Sequence, residues 1–232
     1  SLGASVHTAL KNWFALPVGR REPTAAATLL KATWVREGYR DVEQERAAYA
    51  AALHWLESYL ATLDPADEPL GVERVVAAKT AVLAFNGRAD RIDARHGDDG
   101  PEAVIVDYKT GRTQLDADDA RGSAALALYA YAAQRVFRRP ARRVELHHLP
   151  SGTVAAHEHT EQSLARQLAR AEDTARDIMA AEKAVAAGAD PDAVFPTRAG
   201  TLCGWCDFRR TCPAGADAPA REPWEAVERT LA

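Results

Sequence analysis

The chain has 232 residues, of which 47% are hydrophobic and 27% are charged, and its formal net charge is −4. This composition is that of a globular domain with a sizeable apolar core, and it excludes a strongly basic protein, so any nucleic-acid surface has to be a local patch. No apolar run is long enough to span a bilayer and no secretory signal is present. We therefore expect a cytoplasmic protein without a membrane span.

Two helices are predicted near the start of the chain. The opening segment SLGASVHTALKNWF places apolar residues with helical spacing at Val6, Leu10, Trp13 and Phe14. A second helix is predicted from about residue 42 to residue 63, and Asp64-Pro65 ends it. Because the chain begins within a helix, we expect a further segment before Ser1.

A strand hairpin is predicted next. Residues 71–95, GVERVVAAKTAVLAFNGRADRIDAR, alternate loosely and are rich in Val, Ile and Phe, which indicates one or two strands. The glycines and aspartates of HGDDGP, residues 96–101, are typical of a turn. The near-continuous apolar run AVIVDY, residues 103–108, predicts a central strand.

The second half of the chain predicts two helices separated by a hairpin. The first helix covers residues 122–138, and residues 142–160 form the hairpin, turning at Ser151-Gly152. A long helix follows over residues 161–187, with Gly188 as its C-cap. One face of this helix is predicted to be apolar, formed by Leu164, Leu168, Ala171, Ala175 and Ile178.

This order of elements predicts an α/β fold with three regions. Residues 1–195 form the core domain, residues 196–215 hold all three cysteines, and residues 216–232 are a short C-terminal tail. Cysteines that are few, odd in number and clustered indicate a reduced metal-binding segment rather than a disulfide framework.

The strand that ends in AVIVDYK carries candidate catalytic groups. Side chains alternate across a strand, so Asp107 and Lys109 lie on one face, and the preceding hairpin can bring Asp90 beside Asp107. Two adjacent carboxylates repel unless a cation lies between them, and oxygen ligands favour Mg²⁺ or Mn²⁺. A lysine beside such a metal suits phosphodiester hydrolysis. An aspartate and a lysine at a strand end are also common on a solvated rim, and the surrounding motifs decide between the two interpretations.

These motifs resemble those of a known family. GRADRID, residues 87–93, followed by IVDYKTG, residues 105–111, is similar to the core of PD-(D/E)XK nucleases of the RecB/AddB type, which include CRISPR-associated exonucleases. The resemblance implies a restriction-endonuclease-like central mixed sheet flanked by helices. It implies that Asp90 and Asp107 bind the divalent metal and that Lys109 positions or activates the attacking water.

The resemblance extends to further site residues. GASVHTAL, residues 3–10, is similar to the helix that carries the family's histidine, which implies that His7 is a metal ligand, and the backbone carbonyl of Tyr108 is a further candidate ligand. Glu73 lies where the family often has a glutamate, although a glutamate on an exposed strand is equally ordinary. The family's Gln-x-x-x-Tyr helix retains Tyr129 as a site residue, or as an aromatic packed on the sheet.

One position departs from the family pattern. Ala125 stands where the family has glutamine. The resemblance therefore leaves two functions open. The first is a metal-dependent deoxyribonuclease, an exonuclease on single-stranded DNA ends in repair or recombination, with a helicase or a CRISPR adaptation protein as partner. The second is a catalytically weak or inactive DNA-binding module with the same fold.

The cysteines follow the pattern C-x2-C-x5-C at Cys203, Cys206 and Cys212. Clustered thiolates bind zinc or an iron–sulfur cluster, and both usually need four ligands. A histidine could complete a zinc site; the candidates are His147, His148, His157 and His159. The resemblance instead implies a structural [4Fe–4S] cluster whose fourth cysteine precedes Ser1. Zinc and free thiols are the alternatives.

A nuclease also needs groups that contact DNA. Arginines beside the motifs are the candidates for phosphate contacts: Arg88, Arg91 and Arg112. Unpaired bases could stack on tryptophans, namely Trp13, Trp34 and Trp205, although core packing is an equally ordinary role for each.

Overall fold

The computed structural model describes residues 2–97 and 100–231. Its centre is a five-stranded mixed sheet in the order β1-β2-β3-β4-β5. The strands are β1 Gly71–Lys79, β2 Ala84–Gly97, β3 Gly100–Lys109, β4 Arg143–His148 and β5 Thr153–Glu158. Only β3 and β4 pair in parallel, and the other neighbours are antiparallel. The α/β, restriction-endonuclease-like fold predicted from the sequence is confirmed.

Eight α-helices are present among the described residues. They are α1 Leu2–Phe14, α2 Ala25–Thr33, α3 Val42–Leu60, α4 Ala117–Gly122, α5 Ala124–Phe137, α6 Glu161–Ala186, α7 Pro191–Val194 and α8 Pro223–Leu231. Short 3-10 helices cover Val18–Arg20 and Thr201–Trp205. No helix in this part of the chain combines the length and the apolar character needed to cross a membrane.

The predicted strands and hairpins are present, and β3 is the central strand as the sequence indicated. The tip of the turn predicted over residues 96–101 includes residues 98 and 99, which lie outside the described residues. The second hairpin turns at Gly152, which has a φ of 67°. This left-handed conformation favours glycine because it has no Cβ to clash with the backbone.

The sheet separates two apolar layers. Helices α1, α2 and α3 pack against the face that carries Val104, Val106 and Tyr108. Helix α5 packs against the other face, where Ile105 and Val144 are fully buried. Because side chains alternate along β3, Asp107 and Lys109 point to the α5 side of the sheet.

Two C-terminal features differ from the sequence predictions. On α6 only Leu164 is buried, and Ile178 is 48% exposed, because this helix lies mainly against α5 and not against the sheet. The predicted tail contains α8, whose Val227 is buried against the α1–α3 layer. A single buried valine in a short, charged segment gave little sequence signal for this docking.

Candidate active site

The hairpin of β2 and β3 brings the two predicted acids together. Arg91 pairs with Val106 in this antiparallel ladder, so the next positions toward the end of β3 are Asp90 and Asp107. The backbone N–H of Tyr108 donates to Oδ2 of Asp90 at 2.8 Å. The Asp90 carboxylate is therefore fixed by the neighbouring strand, at the point where β3 ends.

Lys109 forms an ion pair with Asp107. Its Nζ lies 2.7 Å from Oδ2 of Asp107, and the lysine side chain is 43% exposed. Burial raises the pKa of Asp107, and the adjacent Lys109 ammonium opposes this increase. A cation beside Asp107 favours the ionised form of this half-buried carboxylate.

His7 reaches the same edge of the sheet from α1. Its Nδ1 lies 3.4 Å from Oδ1 of Asp90. Burial alone would lower the pKa of His7, but the hydrogen bond and charge of Asp90, together with the charges of Asp107 and Glu73, raise this pKa above 6.5. The imidazole is thus surrounded by negative charge, which is also the environment of a metal cation.

Glu73 completes a group of ligand atoms. One atom each from His7, Glu73 and Asp90 lies within 4.8 Å of the other two. Glu73 has a φ of 49°, a conformation that is uncommon for a residue other than glycine, and its carboxylate forms an ion pair with Arg88 at 2.9 Å. Backbone outliers of this kind cluster at functional sites, and the weak sequence signal at Glu73 gains support from this geometry.

The donor set suits a hard divalent cation. Carboxylate oxygens are the ligands that Mg²⁺ and Mn²⁺ prefer, and one imidazole nitrogen is compatible with Mn²⁺. The His7, Glu73 and Asp90 atoms lie close enough to share one ion, and the carboxylate of Asp107 belongs to the same strand edge. The residues present therefore fit the metal that the sequence predicted.

Tyr129 lies beside this group on α5. It lines a cleft of about 630 Å³ together with His7, Glu73, Arg88 and Asp90. A Cβ at Gly87 would overlap the Tyr129 ring, so the glycine of the GRAD motif lets α5 approach the sheet here. Ala125, one turn earlier on α5, is exposed. A glutamine at position 125, as in the family pattern, would therefore lie on the exposed surface of α5.

The three arginines predicted to contact DNA occupy different environments. Arg88 is 66% exposed at the cleft, and Arg112 is exposed in the segment after β3. The prediction for Arg91 is wrong, because this side chain is only 3% exposed and points to the opposite face of the sheet. There it donates to the hydroxyls of Tyr59 and Tyr108.

The tryptophans also differ in accessibility. Trp13 is fully buried in the core, which excludes it as a stacking surface for bases. Trp34 is partly exposed and stacks on Tyr39 with the ring planes 11° apart. Trp205 is partly exposed and lies under the guanidinium of Arg229, at 5.1 Å.

The cysteine segment forms a series of tight turns. The N–H of Cys206 donates to the carbonyl of Cys203, and the N–H of Cys212 donates to the carbonyl of Phe208. All three thiols are free, and Cys206 is exposed. The donor chemistry, three thiols in one short segment, fits three of the four ligands of an iron–sulfur cluster.

The zinc alternative receives less support from the structure. A tetrahedral zinc site with bonds of about 2.3 Å holds its sulfur atoms about 4 Å apart. Among the described residues, the cysteines belong to no group of three ligand atoms within 4.8 Å. His147 and His148 are engaged elsewhere, since His147 contacts Tyr59 and His148 contacts the carbonyl of Gly111.

A buried polar network on the far side of the sheet was not predicted. Glu145 accepts from Arg95 and Arg143 at 2.7 Å and lies 2.8 Å from Nε2 of His147. Although burial alone would raise the pKa of Glu145, hydrogen bonds from His147 and the two arginines hold it well below 4.5. Charged residues at alternate positions on predicted strands are the signal that could have indicated this network.

The fold and the site together define a class of α/β protein. In this class two carboxylates and a lysine lie on neighbouring strands at one edge of the sheet, and a histidine and a glutamate lie beside them. Residues 1–213 match the family model of the PD-(D/E)XK nuclease superfamily, and the chain belongs to this superfamily. A comparison with curated proteins gave no match.

Proposed function

We propose that the protein is a metal-dependent nuclease that hydrolyses phosphodiester bonds in DNA. The observation that carries this proposal is the convergence of Asp90, Asp107 and Lys109 at one sheet edge, beside His7 and Glu73. Membership of a nuclease superfamily supports a DNA substrate. The single-stranded substrate and the exonuclease mode rest on the RecB/AddB resemblance.

The residues that would hold Mg²⁺ or Mn²⁺ are His7, Glu73, Asp90 and Asp107, with the carbonyl of Tyr108 as a further ligand. Bound there, such an ion would polarise the phosphoryl group and lower the pKa of a coordinated water. The protein's contribution is to fix the ligands. Asp90 is held by the Tyr108 amide, and Glu73 is held by its ion pair with Arg88.

Lys109 would act on the water and the phosphate. Its ammonium is anchored by Asp107 yet remains 43% exposed, so it can donate to a water molecule or to a phosphate oxygen. A fixed cation beside a phosphate that gains negative charge stabilises the transition state. Arg88 and Lys11, which line the cleft around His7 and Asp90, can contact flanking phosphates.

We also propose that Cys203, Cys206 and Cys212 supply three ligands of a structural [4Fe–4S] cluster. Protein prepared without oxygen should contain iron and sulfide and absorb in the visible range, and Cys206→Ser should lose this absorption. Zinc in stoichiometric amount without iron would contradict the proposal. In the cell we propose a role in DNA repair or recombination, with a helicase or a CRISPR adaptation protein supplying the DNA.

The nuclease proposal is tested with end-labelled single-stranded DNA and Mg²⁺ or Mn²⁺. Lys109→Ala should lower the cleavage rate by about 10²–10³-fold, because it removes a preorganised cation. The matched control is Lys183→Ala, which removes an exposed lysine from α6 and should leave the rate unchanged. An exonuclease should degrade linear DNA and leave a circular single strand intact.

A second candidate is a DNA-binding module without activity, which the exposed Ala125 favours because the family's glutamine is absent there. Fluorescence anisotropy with metal-free protein measures binding separately from cleavage. DNA binding without cleavage in either metal, unchanged by Lys109→Ala, would establish this candidate and refute the nuclease.

A further inference from the structure

A cavity at the start of α6 carries an excess of positive charge. Its volume is about 330 Å³, and it lies where β5 ends and α6 begins. Its lining contains three arginines, two histidines and one carboxylate: Arg121, Arg166, Arg170, His157, His159 and Glu158. The carboxylate, Glu158, also has a cation of its own, because its Oε1 lies 3.9 Å from Nε of Arg142.

His159 is the most unusual group in this cavity. It is only 2% exposed, and its Nε2 is buried without a hydrogen-bond partner among the described residues. On the other edge of the ring, Nδ1 lies 3.0 Å from Oγ of Ser163. Because Oγ of Ser163 donates to the carbonyl of Thr160, it accepts from Nδ1 of His159. Nε2 is therefore the ring atom left for a ligand, since a buried polar atom is stabilised when it finds a partner.

The surroundings of His159 favour an anion. The cavity adjoins the N-terminus of a 26-residue helix, whose end carries a partial positive charge. Arg166 and Arg170 lie one turn apart on α6, and neither contacts a carboxylate within residues 2–97 and 100–231. Burial, together with the adjacent His157, lowers the pKa of His159, and an anion bound beside the ring would oppose this shift by favouring the protonated imidazole.

We propose that this cavity is a second phosphate-binding site, in which His159, Arg166 and Arg170 bind one phosphate group. The helix terminus and the two arginines of α6 match the charge of a phosphate, and arginine forks match its geometry. Arg121, the third arginine of the lining, is already paired with Asp118 at 3.0 Å. The site is separate from the carboxylate edge: His159 follows the end of β5 that pairs with Arg143, whereas the other end of β4 pairs with Lys109. The phosphate can come from a DNA backbone or from a free nucleotide.

Binding is measured by isothermal titration calorimetry on the full chain in a chelator, so that cleavage plays no part. Three probes are used in separate titrations: inorganic phosphate, a nucleoside monophosphate and a short single-stranded oligonucleotide. Tighter binding of the oligonucleotide identifies a backbone contact, and equal or tighter binding of the two small probes identifies a nucleotide site.

Arg170→Gln should weaken binding of the preferred probe by at least about tenfold, because a charge-assisted hydrogen bond is lost. Arg176→Gln is the matched control on the same helix, since Arg176 already pairs with Asp173 and should not affect binding. His159→Gln should also weaken binding, and the exposed Arg170 keeps the test valid if that variant does not fold. No binding of any probe, or equal effects of the two arginine substitutions, would overturn the proposal.

Discussion

Replacing Gly87 by alanine tests how closely α5 is held against the sheet at the active site. The added Cβ would lie 2.9 Å from both Cζ and Oη of Tyr129 and closer still to Cε1. Gly87 does not have a positive φ, so alanine is compatible with its backbone. By itself the substitution would stabilise the strand by about 0.5–1 kcal/mol, whereas overpacking costs about 1–3 kcal/mol. We expect a net loss of about 0.5–2 kcal/mol in the free energy of unfolding.

The effect of Gly87→Ala on stability should change sign when the Tyr129 ring is removed. In a Tyr129→Ala background, Gly87→Ala no longer meets the aromatic ring and should stabilise the protein by about 0.5 kcal/mol. Urea unfolding of the four proteins gives this comparison, provided that the slope of the transition is unchanged. If Gly87→Ala were as stable as the parent protein with Tyr129 present, Tyr129 would not be packed on β2 as described. Cleavage should also slow in Gly87→Ala, because the displaced ring lines the cleft.

Two further predictions concern the buried network and the metal. Glu145→Ala should destabilise the protein by about 1–3 kcal/mol in urea unfolding, because it removes the hydrogen-bond partner of the buried His147 and of the half-exposed Arg95 and Arg143. Since the folded-state pKa of Glu145 is depressed, the stability that its carboxylate contributes is present above pH 4.5 and is lost as the pH falls below that value. Glu145→Gln should therefore weaken the loss of stability at acid pH. The same loss in parent and variant would contradict this role of Glu145. Mn²⁺ at about 100 times its dissociation constant should stabilise the folded protein by about 2.7 kcal/mol, and a chelator should reverse this gain. His7→Ala should weaken Mn²⁺ binding by at least about tenfold, and the same midpoint shift in parent and variant would exclude His7 as a ligand.

The parts of the site that are local in sequence could be predicted. Asp90 and Asp107 meet across one hairpin, and strand alternation places Lys109 beside Asp107, so no distant contact was needed. The same alternation puts Arg91 on the face opposite to Asp90. What the sequence did not reveal is that helices cover this second face, because helix packing depends on contacts between distant segments.

Contacts between strands that are distant in the sequence could not be predicted either. Glu145 pairs with Val106 only because β3 and β4 are joined by a parallel crossover through two helices. The ion pair of Glu145 with Arg95 follows from this pairing, although the two residues are fifty positions apart. Likewise His159 lines a charged cavity only after α6 has turned back from the end of β5.

Tyr108 contacts both the carboxylate site and the helical layer on the opposite face of the sheet. Its amide holds the Asp90 carboxylate, whereas its ring, 3% exposed, lies against Arg91 and Tyr59 in the opposite layer. A single residue thus connects the Asp90 carboxylate to the helical layer, and a substitution that forces the Tyr108 backbone to move would also displace the amide that holds Asp90. Efforts to retune cleavage should therefore leave the interior beneath Tyr108 untouched and vary the exposed rim of the cleft at Lys11. Arg88 should be kept, because its ion pair holds Glu73.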